Sequence, residues 1–261
     1  PVVNEAIAGI KKIDAIAVTV GPGLVTSLLV GVETAKTLAY AWKKPVMAIN
    51  HIEGHIYANF IDNQPKFPAL ILTVSGGHTM LVLMSGHGKY KALGETRDDA
   101  AGEAFDKAAQ LMGLGYPGGP AVAAEAAKFK VESEKLKVSL PRPMIESGDF
   151  DFSFSGLKTA LLYATQRDKQ WKKKIPEYAY EFEQAVAEVL VNKTIKAAKK
   201  YNCQNIMLSG GVAANVVLRK HLETAVKNKL TGAKLIIPEF KYCTDNAAMV
   251  AVAGYFNAKR N

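Results

Sequence analysis

Cysteine and long apolar runs are scarce in this sequence of 261 residues. Its two cysteines, Cys203 and Cys243, lie far apart and form no C-x-x-C pair, so neither a zinc knuckle nor a disulfide framework is indicated. No apolar run approaches the roughly 20 residues that span a bilayer, and no signal peptide opens the sequence. These absences favour a cytoplasmic protein with no membrane association.

Acidic residues are outnumbered by basic ones, 24 against 33, which gives a formal net charge of +9. This balance favours a polyanionic partner without identifying it. Part of the excess lies in two lysine clusters, one at Lys169, Lys172, Lys173 and Lys174 and the other at Lys193, Lys196, Lys199 and Lys200. A solvated protein face is the alternative explanation of such runs.

Two histidines, His51 and His55, stand four residues apart, directly after the apolar run at residues 45–49. On a helix this spacing puts both imidazoles on one face, where they can share one divalent metal ion. A metallopeptidase of the H-E-x-x-H type has its glutamate next to the first histidine. Here Glu53 stands two positions on and is turned away from the histidine face. The pattern indicates a metal site without a protease base, although chance placement of two polar residues stays open.

Hydrophobic patterning predicts an α/β protein. Strand-like apolar runs occur at residues 14–20, 46–49, 70–74, 79–84, 90–93, 205–208 and 235–238. Helical patterns occur at residues 25–42, 100–112, 120–130, 157–166, 177–200 and 245–255. The first two strands and the helix between them form a β-α-β unit, which is typical of a parallel sheet. The next three strands are expected to form an antiparallel meander. The helix at 177–200 is expected to be amphipathic, with lysines opposite its core stripe.

Glycine turns follow three of the strands, at residues 21–23, 75–77 and 209–211, and a further glycine pair stands at 118–119. Such turns let backbone N–H groups approach an anion, to which a following helix adds its positive end. Their repetition favours a nucleotide-like ligand over simple tight turns. None is a Walker loop or a G-x-G-x-x-G fingerprint, so P-loop and Rossmann sites are poor explanations. A cleft between two lobes fits better.

Two aspartates near these turns each have two interpretations. Asp106 either holds a ribose hydroxyl or forms a surface ion pair with its neighbour Lys107. Asp245 is interpreted first as the N-cap of the closing helix. Alternatively, it supplies the oxygen ligand that completes a metal site with the two histidines.

Seven motifs follow one another along nearly the whole chain, at residues 51–55, 74–79, 94–107, 116–120, 152–158, 209–215 and 243–247. Together they resemble the TsaD family of tRNA threonylcarbamoyltransferases, earlier described as O-sialoglycoprotein endopeptidases. The stretch D-D-A-A-G-E-A-F-D-K at residues 98–107 is similar to the bacterial branch of that family.

The resemblance implies an α/β actin-like ATPase (ASKHA) fold, with two lobes around a ligand cleft. Residues 1–60 are expected to form the remainder of the N-terminal lobe, on which the C-terminal helix at 245–261 packs back. Residues 61–244 are expected to form the C-terminal lobe with its nucleotide-binding loops. Family members begin with a strand pair and a phosphate turn that nothing here matches, so the N-terminal strands of the first lobe are expected to be missing from this sequence.

The resemblance also implies an activity and its ligands. Family members transfer the threonylcarbamoyl group from threonylcarbamoyl-adenylate to N6 of the adenosine 3′ of the anticodon, in tRNAs that read codons beginning with A, and release AMP. No Ser-His-Asp or Cys-His nucleophile is apparent, which favours direct transfer. Partner subunits of the bacterial complex, TsaB and TsaE, are expected beside tRNA. The alternatives are a metallopeptidase and a non-catalytic scaffold that binds nucleotide.

Site residues are carried over from the family position by position. One divalent metal ion per subunit, with Fe(II) preferred to Zn(II), is expected on His51, His55 and Asp245. The adenylate, or an ATP-type nucleotide, is expected on a second set of residues: Thr73, Val74, Ser75, Gly76, Gly77, Asp106, Gly119 and Asn215.

Overall fold

The computed structural model describes residues 2–10, 12–130 and 136–259. Its strands are β1 (Ile16–Gly21), β2 (Val46–Asn50), β3 (Ala69–Val74), β4 (Thr79–Gly86), β5 (Lys89–Glu95), β6 (Asn205–Ser209) and β7 (Lys234–Ile236). Its α-helices are α1 (Val2–Ala6), α2 (Val25–Trp42), α3 (His51–Tyr57), α4 (Ala101–Met112), α5 (Gly118–Ala126), α6 (Ser155–Arg167), α7 (Ile175–Lys200), α8 (Val216–Lys229) and α9 (Ala247–Ala258). All the predicted strands are confirmed, but helix α8 was not predicted. The last two residues of the predicted segment 245–261 lie outside the described residues.

The strands form two sheets. β1 and β2 pair in parallel and are joined by α2, which confirms the β-α-β unit. The larger sheet has the strand order β5-β4-β3-β6-β7. Its first three strands are antiparallel neighbours, as predicted, whereas β6 runs parallel to both β3 and β7. Since β3 and β6 are parallel, the glycine turns that follow them leave the sheet at the same edge.

Both faces of the larger sheet are buried, because alternate residues of a strand point to opposite faces. Leu70 and Leu72 of β3 belong to a core shared with helices α4 to α8. Ile71 of β3 and Met207 of β6 belong to a second core, to which α3 and α9 contribute. Helix α9 also packs against α3, β1 and β2. The histidine-bearing helix α3 therefore lies between the small sheet and the large one.

Helix α7 differs from its predicted form. Most of its residues are buried, and Lys193 has a relative exposure of 0%. The Lys193 ammonium donates hydrogen bonds to Ser147 Oγ at 2.8 Å and to the Asp149 backbone oxygen at 3.2 Å. The loop that follows Leu140 covers this side of α7, so the interpretation of Lys193 as part of a solvated lysine face is wrong.

Helix α2 lies at the surface, with only Ala35 and Ala39 buried along it. Its start exposes Val25 by 70% and Val30 by 71%, which leaves an apolar surface on this side of the molecule. No helix in the described part of the chain is both long and apolar enough to cross a membrane.

Candidate metal centre and nucleotide loops

The structure brings together the three residues of the predicted metal site. His51 and His55 occupy successive turns of α3, with ring centroids 4.7 Å apart. Oδ1 of Asp245 lies 3.5 Å from His51 Nε2 and 3.2 Å from His55 Nε2. The three donor atoms all lie within 4.8 Å of one another. Two imidazoles and one carboxylate in this arrangement fit a divalent transition-metal ion and leave further coordination positions open.

Asp245 does not cap the closing helix. Helix α9 begins at Ala247, and its N-cap is Asn246, whose side chain accepts a hydrogen bond from Met249 N at 2.9 Å. The interpretation of Asp245 as the N-cap is therefore wrong, because the asparagine one position later takes that role. The carboxylate of Asp245 stays outside the helix and meets the histidines.

The protonation state of His55 suits a metal ligand. Its side chain is 2% exposed, and burial, followed by the charge of His51, lowers its pKa to about 4 against the opposing effect of Asp245. At pH 7 the ring is therefore neutral. Because metal binding requires an unprotonated imidazole nitrogen, His55 can bind an ion near neutral pH without first losing a proton.

Glu53 makes contacts away from the three donor atoms. Its Oε1 accepts a hydrogen bond from the Tyr90 hydroxyl at 2.9 Å, and its Oε2 accepts one from Asn257 Nδ2 at 3.2 Å. The carboxylate thus connects α3 to β5 and α9. This placement agrees with the predicted displacement of Glu53 and argues against a general base for peptide hydrolysis.

The two Ser-Gly-Gly turns lie side by side at the ends of β3 and β6. The hydroxyl groups of Thr73 and Ser209 form a buried hydrogen bond of 2.9 Å across these strands. Gly210 has φ of +89°, and a Cβ built on it would lie 2.3 Å from the Val74 carbonyl oxygen. Only glycine fits there. Thr73 and Val74 are 0% exposed as whole residues, so the structure places these two predicted residues in the core behind the turn, with neither side chain nor backbone at the surface.

Helix α4 meets the first turn through Gly102, and α5 in turn meets α4 through Gly118. A Cβ on Gly102 would lie 2.6 Å from the Ser75 carbonyl oxygen, and one on Gly118 would lie 2.4 Å from Asp106 Cα. Asp106 Oδ1 accepts a hydrogen bond of 2.7 Å from Gly118 N, which attaches the start of α5 to α4. The segments that carry Ser75, Asp106 and Gly118 are therefore in direct backbone contact.

The predicted alternative for Asp106, an ion pair with Lys107, is wrong. The Nζ of Lys107 lies 2.6 Å from Asp99 Oδ1 and 2.9 Å from Glu103 Oε1. Neighbouring residues of a helix point in different directions, so Asp106 and Lys107 face different surroundings.

Three other glycines have free space beside them. A Cβ on Gly76, Gly77 or Gly119 would meet no atom within 4 Å. Gly119 lies in the first turn of α5, where backbone N–H groups have no acceptor within the helix. These three are predicted adenylate-binding residues, and Gly211, which was not predicted, has the same free space, whereas Gly102, Gly118 and Gly210 hold the backbone segments together.

Asn215 ends the second turn and is held from two sides. Its Oδ1 accepts a hydrogen bond from Leu218 N at 2.8 Å and caps α8, while its Nδ2 donates to Glu183 Oε1 at 2.6 Å. Glu183 lies on α7 and is 3% exposed. Glu183 could not be predicted, because nothing in the pattern of α7 distinguishes this carboxylate from its neighbours.

Glu183→Gln is expected to raise the melting temperature at pH 8 and to leave it unchanged below about pH 4. Burial raises the pKa of Glu183 above its unfolded value, against the hydrogen bond from Asn215. The stability that the neutral carboxyl contributes is therefore present at low pH and lost as the pH rises through the folded-state pKa. Glutamine stays neutral and can still accept from Asn215. Thermal melts across this range test the expectation, with the exposed Glu223→Gln as control, and equal shifts at both pH values would contradict it.

Solved structures with the same architecture identify the class of fold. HypF from T. kodakarensis superposes with a TM-score of 0.71 at 16% identity, over 98% of this chain and 42% of that chain. Full-length HypF in its phosphate- and nucleotide-bound form gives a TM-score of 0.67 at 11% identity, over 95% and 47% of the two chains. These likenesses agree with the predicted α/β actin-like ATPase fold.

Sequence comparison identifies the family within this fold. The family model of tRNA N6-adenosine threonylcarbamoyltransferase, TsaD, matches residues 1–252. The enzyme of that name from Syntrophomonas wolfei is 51% identical over 97% of this chain and 74% of its own length. Its counterpart from Geobacillus thermodenitrificans is 50% identical over 100% of this chain and 77% of its own length. The chain belongs to the TsaD family and is a transferase.

Proposed function

We propose that this protein transfers the threonylcarbamoyl group from threonylcarbamoyl-adenylate to N6 of the adenosine 3′ of the anticodon, in tRNAs reading codons that begin with A. Membership of the family carries this proposal. Further support comes from the approach of His51, His55 and Asp245 to one point, in a chain whose glycine turns also lie together.

In the proposed reaction, the N6 amine attacks the carbonyl carbon of the carbamoyl group. The bond between that carbon and the phosphate oxygen breaks, AMP leaves with the electron pair, and the amine loses a proton. Backbone N–H groups at Gly76, Gly77 and Gly119 hold the adenylate phosphate, as helix starts and glycine turns commonly do. The second carboxylate oxygen of Asp106 is available to a ribose hydroxyl. Fixing the donor in this way lowers the entropic part of the barrier.

The metal centre consists of one divalent ion per subunit on His51, His55 and Asp245. A set of two histidines and one aspartate suits both iron(II) and zinc, and the family resemblance favours iron(II). When bound, the ion supplies a Lewis acid and a template for the carbamate end of the donor.

The proposed partners are tRNA and the subunits TsaB and TsaE, in the cytoplasm. Support for tRNA comes from the net charge of +9, because phosphate backbones favour lysine-rich surfaces. Support for a protein partner comes from the exposed apolar side chains of α2, since extended apolar surface is typical of interaction sites.

Gly119→Ala is expected to affect AMP binding, whereas Gly118→Ala is expected to affect the stability of the fold. A methyl group on Gly119 enters free space, so the melting temperature is expected to stay unchanged while AMP binds at least about 10-fold more weakly, since the methyl occupies ligand space. A methyl group on Gly118 collides with the backbone of Asp106, so the protein is expected to lose about 1 to 3 kcal/mol of stability. Calorimetry and urea unfolding measure the two effects. Full AMP affinity in a folded Gly119→Ala variant would contradict the assignment of this residue.

The transfer itself is tested with threonylcarbamoyl-adenylate, unmodified tRNA, the metal-loaded protein and its partner subunits. We expect AMP release, together with threonylcarbamoyladenosine in the nucleosides of the digested tRNA. AMP binding without modified nucleoside would favour the non-catalytic scaffold instead.

A further inference from the structure

The helices whose N-caps use a side chain begin at or beside predicted site residues. Helices α3, α8 and α9 each begin after a residue whose own side chain accepts a hydrogen bond from the first turn. All three are asparagines: Asn50, Asn215 and Asn246. The other described helices of nine residues or more follow residues whose side chains make no such bond, namely Leu24, Ala100, Pro117, Phe154 and Lys174. Capping of this kind is thus concentrated where the candidate metal and nucleotide residues lie.

Asn50 stands immediately before His51, at the point where β2 becomes α3. Its Oδ1 accepts hydrogen bonds from Ile52 N at 2.9 Å and from Glu53 N at 3.2 Å. These N–H groups belong to the two residues that directly follow His51. The Asn50 side chain therefore fixes the first turn, and with it the direction in which the His51 imidazole leaves the helix.

Asn246 stands immediately after Asp245 and bonds to both sides of it. Its Oδ1 accepts from Met249 N at 2.9 Å, and its Nδ2 donates to Thr244 O at 2.8 Å and to Tyr242 O at 3.4 Å. One amide group thus connects the turn before Asp245 to the helix after it. The side chain of Asp245 is 76% exposed, so packing constrains it little.

We propose that Asn50 and Asn246 are positioning residues of the metal centre, which hold the backbones of His51 and Asp245 in the orientation that places their donor atoms beside His55 Nε2. This inference rests on the proposed metal site. The ligands come from distant parts of the chain. Tight binding of the ion therefore requires that both segments are already ordered before it binds. Groups that orient metal ligands typically change metal affinity by about 10- to 100-fold when they are replaced.

Co²⁺ alone is a suitable probe, because its visible absorption reports both binding and ligand geometry. Asn50→Ala and Asn246→Ala are each expected to weaken Co²⁺ binding by about 10- to 100-fold and to alter the absorption spectrum. Serine can still cap a helix, so Asn50→Ser is expected to bind within about threefold of wild type. Asn246→Ser keeps the cap but loses both Nδ2 bonds, and is expected to bind about 10-fold more weakly.

Asn228→Ala is the matched control, since Asn228 is exposed in the last turn of α8. It is expected to bind Co²⁺ as wild type does. If an alanine variant is unfolded at the assay temperature without metal, Asn50→Ser and Asn246→Ser are compared instead. Wild-type Co²⁺ affinity in both serine variants would then overturn the role of Asn246. Wild-type affinity and spectrum in folded alanine variants would overturn the proposal and leave the metal site standing. A wild-type protein that binds no Co²⁺ would overturn both.

Discussion

Replacing His55 with alanine is expected to lower the affinity for a divalent metal by more than about 100-fold, because loss of a direct ligand costs more than loss of a group that orients one. Threonylcarbamoyl transfer is expected to fall with the metal content. His55 is buried and neutral at pH 7, and its Nε2 lies 3.2 Å from Asp245 Oδ1. Its removal therefore opens the centre of the cluster. Metal titration and nucleoside analysis measure the two effects.

Glu53→Gln is the control for this prediction. Glutamine keeps an acceptor for the Tyr90 hydroxyl, and Glu53 lies on the same helix as His55 without meeting the donor atoms. Metal content and transfer are expected to stay close to wild type. If Glu53→Gln retained the metal but lost the transfer activity, Glu53 would take part in the transfer chemistry itself. Full transfer by metal-free His55→Ala would contradict the metal centre.

Gly210→Ala is expected to lower the free energy of unfolding by about 2 to 6 kcal/mol, from two additive causes. The backbone at Gly210 has φ of +89°, in a region that costs an L-residue about 1 to 3 kcal/mol. Its new Cβ would also lie 2.3 Å from the Val74 carbonyl oxygen, and such overpacking costs about 1 to 3 kcal/mol. AMP binding is expected to weaken as well, because the two Ser-Gly-Gly turns would move apart.

Gly211→Ala is the matched control one residue further on. A Cβ there meets no atom within 4 Å, so the change in stability is expected to stay within about 0.5 kcal/mol. Urea unfolding of both variants gives the comparison. Equal stabilities would show that the close contact between the two turns is not required for the fold.

Much of the fold and of the candidate site follows from local patterns. Short apolar runs predicted the strands, and the spacing of His51 and His55 predicted their shared helix face. The caps were harder to predict, because Asp245 and Asn246 are both good N-cap residues and adjacent in sequence. Which of them caps α9 depends on where the chain approaches α3. The tertiary structure settles this by placing the Asp245 carboxylate beside the two histidines.

Other features depend on contacts between distant segments. Lys193 is buried because the loop at Ser147 and Asp149 covers it. No pattern in the sequence of α7 predicts this contact. Gly118 and Gly119 look equivalent in sequence, yet one packs against α4 and the other has free space beside it. Sequence periodicity reports which side of an element is buried, but not what another part of the chain places against it.

In the proposed function, one site for metal and adenylate is formed by His51, His55, Asp245 and the glycine turns. Diffraction at the metal absorption edge, from crystals grown with Fe(II) or Zn(II) and AMP, tests it most directly. We expect one anomalous peak about 2.0 to 2.2 Å from a nitrogen of each histidine and an oxygen of Asp245, with AMP bound on Gly76, Gly77 and Gly119. An ion away from these three residues, or AMP bound away from the turns, would contradict the claim.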